Sequence, residues 1–181
     1  MRSEGFVSST FGVLAAALVL LGGVPSPAQI PESVKPSSIP NYRLVKPGLA
    51  AAGQPSPEAL QQLKAQGFKT VINLRTEAEG AKSEEETVRA AGLAYGWVPV
   101  SPATFSLDDV KAVAKVLEDP AAAPVLLHCS SANRVGAVWA VLEAQKGKSL
   151  EEAQAEGEKI GLTSGAMKDA VRRVLEEGPP R

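Results

Sequence analysis

The sequence holds a single cysteine and a single histidine among 181 residues. One thiol cannot close an intramolecular disulfide, and one cysteine with one histidine cannot build a zinc cluster. Neither a disulfide framework nor metal catalysis is expected, and no cofactor is expected. An excess of charge of either sign is also missing: 19 Lys and Arg stand against 20 Asp and Glu, interspersed, for a net charge of −1. That balance leaves no basic patch for nucleic acid or an anionic membrane surface. The apolar stretch from Phe11 to Val24 is shorter than the ~20 residues of a comfortable membrane span, so no stable membrane insertion of the mature domain is expected.

Three regions follow one another. Residues 1–28 read as an export signal: Arg2 gives a basic start, Phe11 to Val24 an apolar core, and Ser26-Pro27-Ala28 small residues at a cleavage point. The expected location is outside the cytoplasm, periplasmic or extracellular. Residues 29–41 are rich in proline and serine without an apolar period, as in a linker. The remainder, 42–178, suffices for one domain with its own core.

Within that domain strands and helices alternate. Tyr42 to Val45 and Leu49 to Ala52 flank the turn signal Lys46-Pro47-Gly48 and predict a hairpin. Ser56-Pro57-Glu58 starts a helix running to about Gly67, and Thr70 to Leu74 is a buried strand. Ser83 with Glu86 predicts a capping box for a second helix, which Gly92 closes. Leu93 to Val100 is the next strand, Ser106 and Asp109 open a third helix, and Val125 to His128 is a further strand. A helix with Val135, Val138, Trp139 and Leu142 on one stripe, one from Ser149 and one after Leu162-Thr163-Ser164 complete the chain. This is the pattern of a single α/β domain with a largely parallel central sheet flanked by helices. Ligands of such sheets lie outside the carboxyl ends of the strands, where Arg75 to Glu79, Val100 to Phe105 and the segment after His128 are placed.

That last segment carries the chemistry. From Pro124 to Leu142 the chain reads as strand, tight loop and helix, and the one cysteine and the one histidine both sit at the loop. Such a loop directs successive backbone N–H groups at one point and adds the positive end of the helix behind it, which makes an oxyanion site. Cys129, at the start of the loop, lies in a positive field that favours its nucleophilic thiolate form, and Arg134 returns at the far end. A lone cysteine is usually a small buried hydrophobe, and a lone histidine a structural residue. Their order here, His-Cys, four small or polar residues, Arg and then an apolar helix, points instead to an anion-binding nucleophilic loop.

A strand ending in His128-Cys129, a short loop closed by Arg134 and a helix resemble the cysteine-dependent phosphatases of the dual-specificity and protein tyrosine phosphatase superfamily. Within it, Gly53-Gln54-Pro55-Ser56 and Gly67-Phe68-Lys69-Thr70-Val71-Ile72-Asn73-Leu74-Arg75 are most similar to the bacterial phosphatases often called beta-lactamase-hydrolase-like. The likeness covers most of Tyr42 to Gly147. It implies a protein tyrosine phosphatase-like fold and hydrolysis of phosphate monoesters through a cysteinyl-phosphate. Cys129 would be the nucleophile, and Arg134 with the loop residues Ser130, Ser131, Ala132 and Asn133 would hold the phosphoryl group. His128 would support the thiolate. The partner would be a phosphorylated small molecule or a phosphoprotein.

Several positions depart from the common pattern. Four residues, rather than five, separate Cys129 from Arg134. Ala132 stands where such loops usually carry glycine, at a cost of ~1 kcal/mol or more if the position needs positive φ. Val135 replaces the serine or threonine that often follows the arginine. The loop expected to supply a general acid, Trp97 to Phe105, contains no carboxylate. Asp109 is the candidate acid, with Asp108 beside it, although first-turn aspartates are stabilised by the helix dipole without any catalytic duty. Arg75 either reaches the anion or solvates the sheet edge. Two other functions fit the loop: a rhodanese-like sulfurtransferase, which also spaces cysteine and arginine by four residues, and an exported, non-catalytic module binding anions or phospho-ligands. Gln54-Pro55 and Asn73-Leu74-Arg75 match the phosphatase group and have no sulfurtransferase counterpart.

Overall fold

The computed structural model describes residues 39–178. The expected signal segment and most of the linker lie outside the described residues. The last linker residues belong to the domain: Ile39 is buried and the Pro40 carbonyl accepts from Gly53 N–H at 2.7 Å. The packed unit therefore starts slightly ahead of Tyr42.

β1 (Arg43–Lys46) and β2 (Leu49–Ala52) form the expected antiparallel hairpin. β3 (Thr70–Asn73), β4 (Ala94–Trp97) and β5 (Val125–His128) complete a five-stranded sheet of order β1-β2-β5-β3-β4. β2, β5, β3 and β4 run parallel, so Ala52, His128, Asn73 and Trp97 end at one edge. The sheet is thus largely parallel, with one antiparallel strand at its margin.

Alternation along the strands divides the core between two faces. Leu49, Ala51, Ile72, Val125 and Leu127 point to one side, under α3 (Leu107–Glu118), α4 (Asn133–Gln145) and α6 (Gly165–Glu177). Ala50, Ala52, Val71 and Leu126 point to the other, under α1 (Pro57–Gln62) and α2 (Ala81–Ala90). The central strands are buried on both faces, which is why they read as continuous apolar runs. Among the described residues no helix is long and apolar enough to cross a membrane.

Three boundaries differ from the sequence expectation. α1 ends at Gln62 and continues as hydrogen-bonded turns to Gly67, whose φ is 90°. The capping box lies earlier than Ser83 and Glu86: Thr76 and Glu79 form it around a short 3-10 turn, and Gly80 at φ 81° then admits α2 at Ala81. Ser83 donates its hydroxyl to the Gly80 carbonyl instead. β4 stops at Trp97, although Val98 and Val100 still donate to β3 and the residue after it, because Pro99 between them has no N–H.

α4 is the central helix, and α5 (Leu150–Ile160) crosses it with the two backbones in contact. A Cβ built on Gly136 would lie 2.5 Å from the Gly157 carbonyl oxygen and 2.6 Å from Leu162 N. Gly136→Ala is therefore expected to destabilise the fold by about 1–3 kcal/mol or more, as overpacking against backbone does. Thermal denaturation checks this, with Gly147→Ala excluded as a control because its φ of 98° adds strain of its own.

Candidate active site

The loop that leaves β5 is anchored before it reaches its arginine. Cys129 N–H donates to the Ala52 carbonyl at 3.3 Å, and the Ser130 carbonyl accepts from Gln54 N–H at 3.1 Å. Gly53 pairs with Ser131 in an isolated antiparallel bridge. A Cβ on Gly53 would sit 3.0 Å from the Ser130 carbonyl oxygen and 3.1 Å from that of Pro40, so this close approach favours glycine. The Gly53-Gln54-Pro55 segment is thus a support for the loop. Asn41 adds a side-chain donor to the Ser131 carbonyl.

Ala132 adopts φ 67°, the left-handed region, and caps α4 without a side-chain hydrogen bond. The turn therefore uses the conformation that the missing glycine would have supplied. The first N–H groups of α4, those of Asn133, Arg134 and Val135, precede the first intrahelical bond, from Gly136 N–H to the Ala132 carbonyl, and a helix start of this kind can accept an anion. The Asn133 side chain is used elsewhere: its Oδ1 accepts from Thr163 N–H and Ser164 N–H, tying the loop to the start of α6.

Cys129 is fully buried at the base of the loop. Arg134 returns to it, and its guanidinium is fixed from several sides. Nη1 donates to Glu79 Oε2 (2.6 Å) and to the carbonyls of Val100 (3.1 Å) and Leu74 (3.3 Å). Nη2 donates to Glu79 Oε1 (2.7 Å) and to Ser130 Oγ (2.9 Å). Ser130 Oγ in turn donates to Glu79 Oε1 at 2.6 Å. Glu79, also held by Thr76 N–H and Oγ, has its carboxyl driven far below the usual carboxylate range, first by Arg134. Arg134 is raised in return by Glu79, against its burial, with a further contribution from Cys129.

His128 is fully buried and faces away from solvent. Its Nε2 lies 2.8 Å from Glu84 Oε1, and its Nδ1 lies 3.4 Å from the Cys129 carbonyl. Glu84 is itself buried and accepts from Asn73 Nδ2 (3.0 Å) and Gln54 Nε2 (2.7 Å). Burial works to raise the Glu84 carboxyl, but the hydrogen bonds from His128 and Gln54 and the charges of His128 and Arg75 outweigh it and leave it lowered. This chain of contacts fixes the imidazole behind the cysteine.

The structure therefore brings together Cys129, Ser130, Ser131, Ala132 and Arg134, with His128 behind them. It does not bring Arg75 onto the loop. The Arg75 guanidinium lies beside Glu84, 3.8 Å away, and lines a separate cavity. Asp109 is committed to α3, where Oδ2 accepts from both Ser106 N–H and Ser106 Oγ at 2.9 Å. Asp108 pairs with Lys111 at 2.9 Å. Sequence reasoning missed Glu79 and Glu84. The Thr76-to-Glu79 spacing is a capping-box signal that could have marked the first. Glu84 falls on the Ala81 and Val88 stripe, so helical periodicity placed a carboxylate on a buried face.

Glu79→Gln tests the brace on Arg134. The folded-state carboxyl is depressed, so its contribution to stability is present above the unfolded value of ~4.3 and is lost as pH falls from there toward the lower folded value. The difference in melting temperature between parent and variant is expected to be largest near neutral pH and to shrink below about pH 4. A difference that stays constant with pH would remove the ion pair from the account.

Fold and loop together define a class, an α/β domain with the protein tyrosine phosphatase-like architecture. The chain superposes on a protein of the DUF442 group from Shewanella putrefaciens, assigned as a phosphatase, with a TM-score of 0.62 and 21% identity, over 77% of this chain and 93% of that one. It also superposes on TpbA of P. aeruginosa, with a TM-score of 0.61 and 21% identity, over 86% and 92%. Residues 41–146 match the family described as beta-lactamase hydrolase-like protein, phosphatase-like domain, and the chain belongs to that family. A beta-lactamase hydrolase-like protein of Agrobacterium fabrum is 34% identical over 133 residues, 71% of this chain and 30% of that protein. The chain thus spans about a third of the length of the curated relatives it matches.

Proposed function

We propose that the protein hydrolyses phosphate monoesters through a cysteinyl-phosphate. The observation that carries the reading is the placement of Arg134, pinned by Glu79, Leu74 and Val100 at the end of the loop that begins with buried Cys129. In the first step Cys129 Sγ attacks phosphorus, the S–P bond forms, and the bond from phosphorus to the leaving oxygen breaks. Loop amides and the guanidinium stabilise the charge that develops on the non-bridging oxygens. In the second step water attacks phosphorus, the S–P bond breaks, and phosphate leaves with the thiolate restored. Glu79 occupies the Nη1 and Nη2 edge of Arg134. The Nε–H, with Nη2 once Ser130 turns away, is the edge left for a phosphoryl group. Substrates with good leaving groups, aryl phosphates or phosphotyrosine, suit a site of this kind. An exported location is part of the proposal and rests on the N-terminal residues.

The test is a panel of phosphate esters and thiosulfate on the purified protein, with Arg134→Lys beside the parent. Hydrolysis of the esters without sulfur transfer from thiosulfate supports the reading, and the converse overturns it. Arg134→Lys should lose roughly 10²-fold or more in kcat/KM, measured well below its melting temperature, and should also melt lower than the parent, because a single ammonium cannot satisfy Glu79, two carbonyls and a phosphoryl group at once. A lysine variant with parental turnover would make Arg134 structural.

A further inference from the structure

α6 lies beyond residue 146, where the match to the family ends, yet it touches the candidate site at two places. At its start, Thr163 N–H and Ser164 N–H hold the Asn133 side chain, and Gly161 packs on Ala132, where a Cβ built on the glycine would lie 3.0 Å from the alanine Cβ. The second place is further along the helix. Arg173 reaches from α6 to the turn between β4 and α3, and its Nη2 donates to the carbonyls of Pro102 (3.0 Å) and Phe105 (3.1 Å). Its neighbour Arg172 pairs with Asp169, whereas Arg173 commits its charge to these two carbonyls, and a charged donor makes the stronger kind of hydrogen bond.

Little else holds that turn. Among the described residues the other hydrogen bonds of Ser101 to Phe105 stay inside it: Ser101 N–H donates to Thr104 Oγ1 (3.3 Å), the two hydroxyls pair at 2.8 Å, and Thr104 N–H and Phe105 N–H donate to the Ser101 carbonyl at 3.2 and 2.9 Å. Apart from the buried Phe105 ring, Arg173 is what ties the turn to the body of the domain. The turn in turn shares a peptide with the site. The Val100 carbonyl, which accepts from Arg134 Nη1 at 3.1 Å, and the Ser101 N–H, which belongs to the turn, are the two polar groups of one planar peptide unit. Tilting the turn rotates that unit and carries its acceptor off the guanidinium. Val100 N–H, bonded to the Leu74 carbonyl at 3.1 Å, fixes the preceding peptide and not this one.

We propose that Arg173 is a positioning residue for Arg134: from α6 it holds the Ser101–Phe105 turn, the turn fixes the Val100–Ser101 peptide, and the Val100 carbonyl keeps the guanidinium where an oxyanion meets it. Arg173 itself touches no substrate. The proposal rests on the phosphatase reading for its kinetic test and on oxyanion binding alone for its second test.

The experiment compares Arg173→Met, Arg173→Lys and Val171→Ala with the parent, as full chains well below their melting temperatures, by kcat/KM on p-nitrophenyl phosphate and by calorimetric titration of tungstate. Methionine keeps an unbranched stem and removes the donors, whereas lysine supplies a single nitrogen, which is all that the two bonds use. Val171→Ala, at a buried position of the same helix, costs stability and leaves both bonds in place. Arg173→Met is expected to lose about ten-fold in both kcat/KM and tungstate affinity, the scale of one hydrogen bond to a charged group, with Arg173→Lys within about three-fold of the parent and Val171→Ala unchanged. Parental values in Arg173→Met overturn the proposal, and so does an equal loss in Val171→Ala or a lysine variant no better than methionine. If Arg173→Met does not fold, Arg173→Gln, whose shorter amide reaches neither carbonyl, takes its place with the same expectation. If the parent does not hydrolyse p-nitrophenyl phosphate, the phosphatase reading has failed and the tungstate affinities decide alone. A parent that binds no tungstate ends the proposal as well.

Discussion

Cys129→Ser is expected to reduce turnover of p-nitrophenyl phosphate by at least about a thousand-fold while leaving oxyanion binding within a few-fold of the parent. A hydroxyl in place of the thiol is a far weaker nucleophile at neutral pH, and among the described residues no imidazole or free carboxylate is positioned to activate it. His128, the adjacent imidazole, presents Nε2 to Glu84 and Nδ1 to the backbone carbonyl of residue 129, not to its side chain. The parts proposed to hold an anion are separate from the sulfur. The α4 N-terminus depends on the left-handed turn at Ala132, and Arg134 depends on Glu79, Leu74 and Val100. The loop base is held by backbone bonds that serine preserves, from residue 129 to Ala52 and from Gln54 to Ser130. Steady-state rates together with calorimetric titration of tungstate separate the two effects. Residual turnover close to the parent's would exclude a cysteinyl-phosphate, and loss of tungstate binding along with turnover would mean that the sulfur itself shapes the cradle.

The loop from Cys129 to Arg134 and the layout of strands were legible because each leaves a local signature. His128-Cys129 and Arg134 sit in one short segment, and the buried strands appear as apolar runs bounded by turns. A positive φ at Ala132 was raised only as a condition, by likeness to loops that carry glycine there, and the structure has it at 67°. Glu79 and Glu84 were not legible because their meaning depends on partners 55 and 44 residues away, Arg134 and His128. Locally the spacing marks Glu79 only as a helix cap and the Ala81 and Val88 stripe marks Glu84 only as inward-facing, and neither names its partner. Arg75 shows the opposite limit: position at a strand's carboxyl end placed it correctly, but only tertiary packing turned its side chain into the neighbouring cavity instead of the loop. Asp109 was ambiguous in sequence, between acid and cap, and its two bonds to Ser106 account for it as a cap.

That assignment has a kinetic consequence. Cleavage of a phosphate monoester benefits by about 10²–10⁴-fold from a group that protonates the leaving oxygen. Among the described residues the carboxylate in contact with the loop is Glu79, and Arg134 holds it so far below the usual range that at neutral pH it carries no proton to donate. The segment from Trp97 to Phe105 has no acidic residue, and its Ser101 and Thr104 hydroxyls are bonded to each other at 2.8 Å. The leaving group must then depart largely unprotonated. A phenolate does so readily and an alkoxide does not, so rates are expected to fall steeply along a series of esters as the pKa of the leaving alcohol rises. Alkyl phosphates should lie about 10²–10⁴-fold below what an acid-assisted enzyme would achieve. Asp108→Asn and Asp109→Asn should leave the steepness unchanged, and Asp109→Asn should instead lower the melting temperature slightly, because it removes a negative charge at the α3 N-terminus, worth about 0.3–1 kcal/mol, and leaves Ser106 a weaker, neutral acceptor. The measurement is the leaving-group series on the parent and both variants. A shallow dependence in the parent that turns steep in Asp109→Asn would make Asp109 the acid, reached by a movement of the α3 N-terminus that breaks its bonds to Ser106.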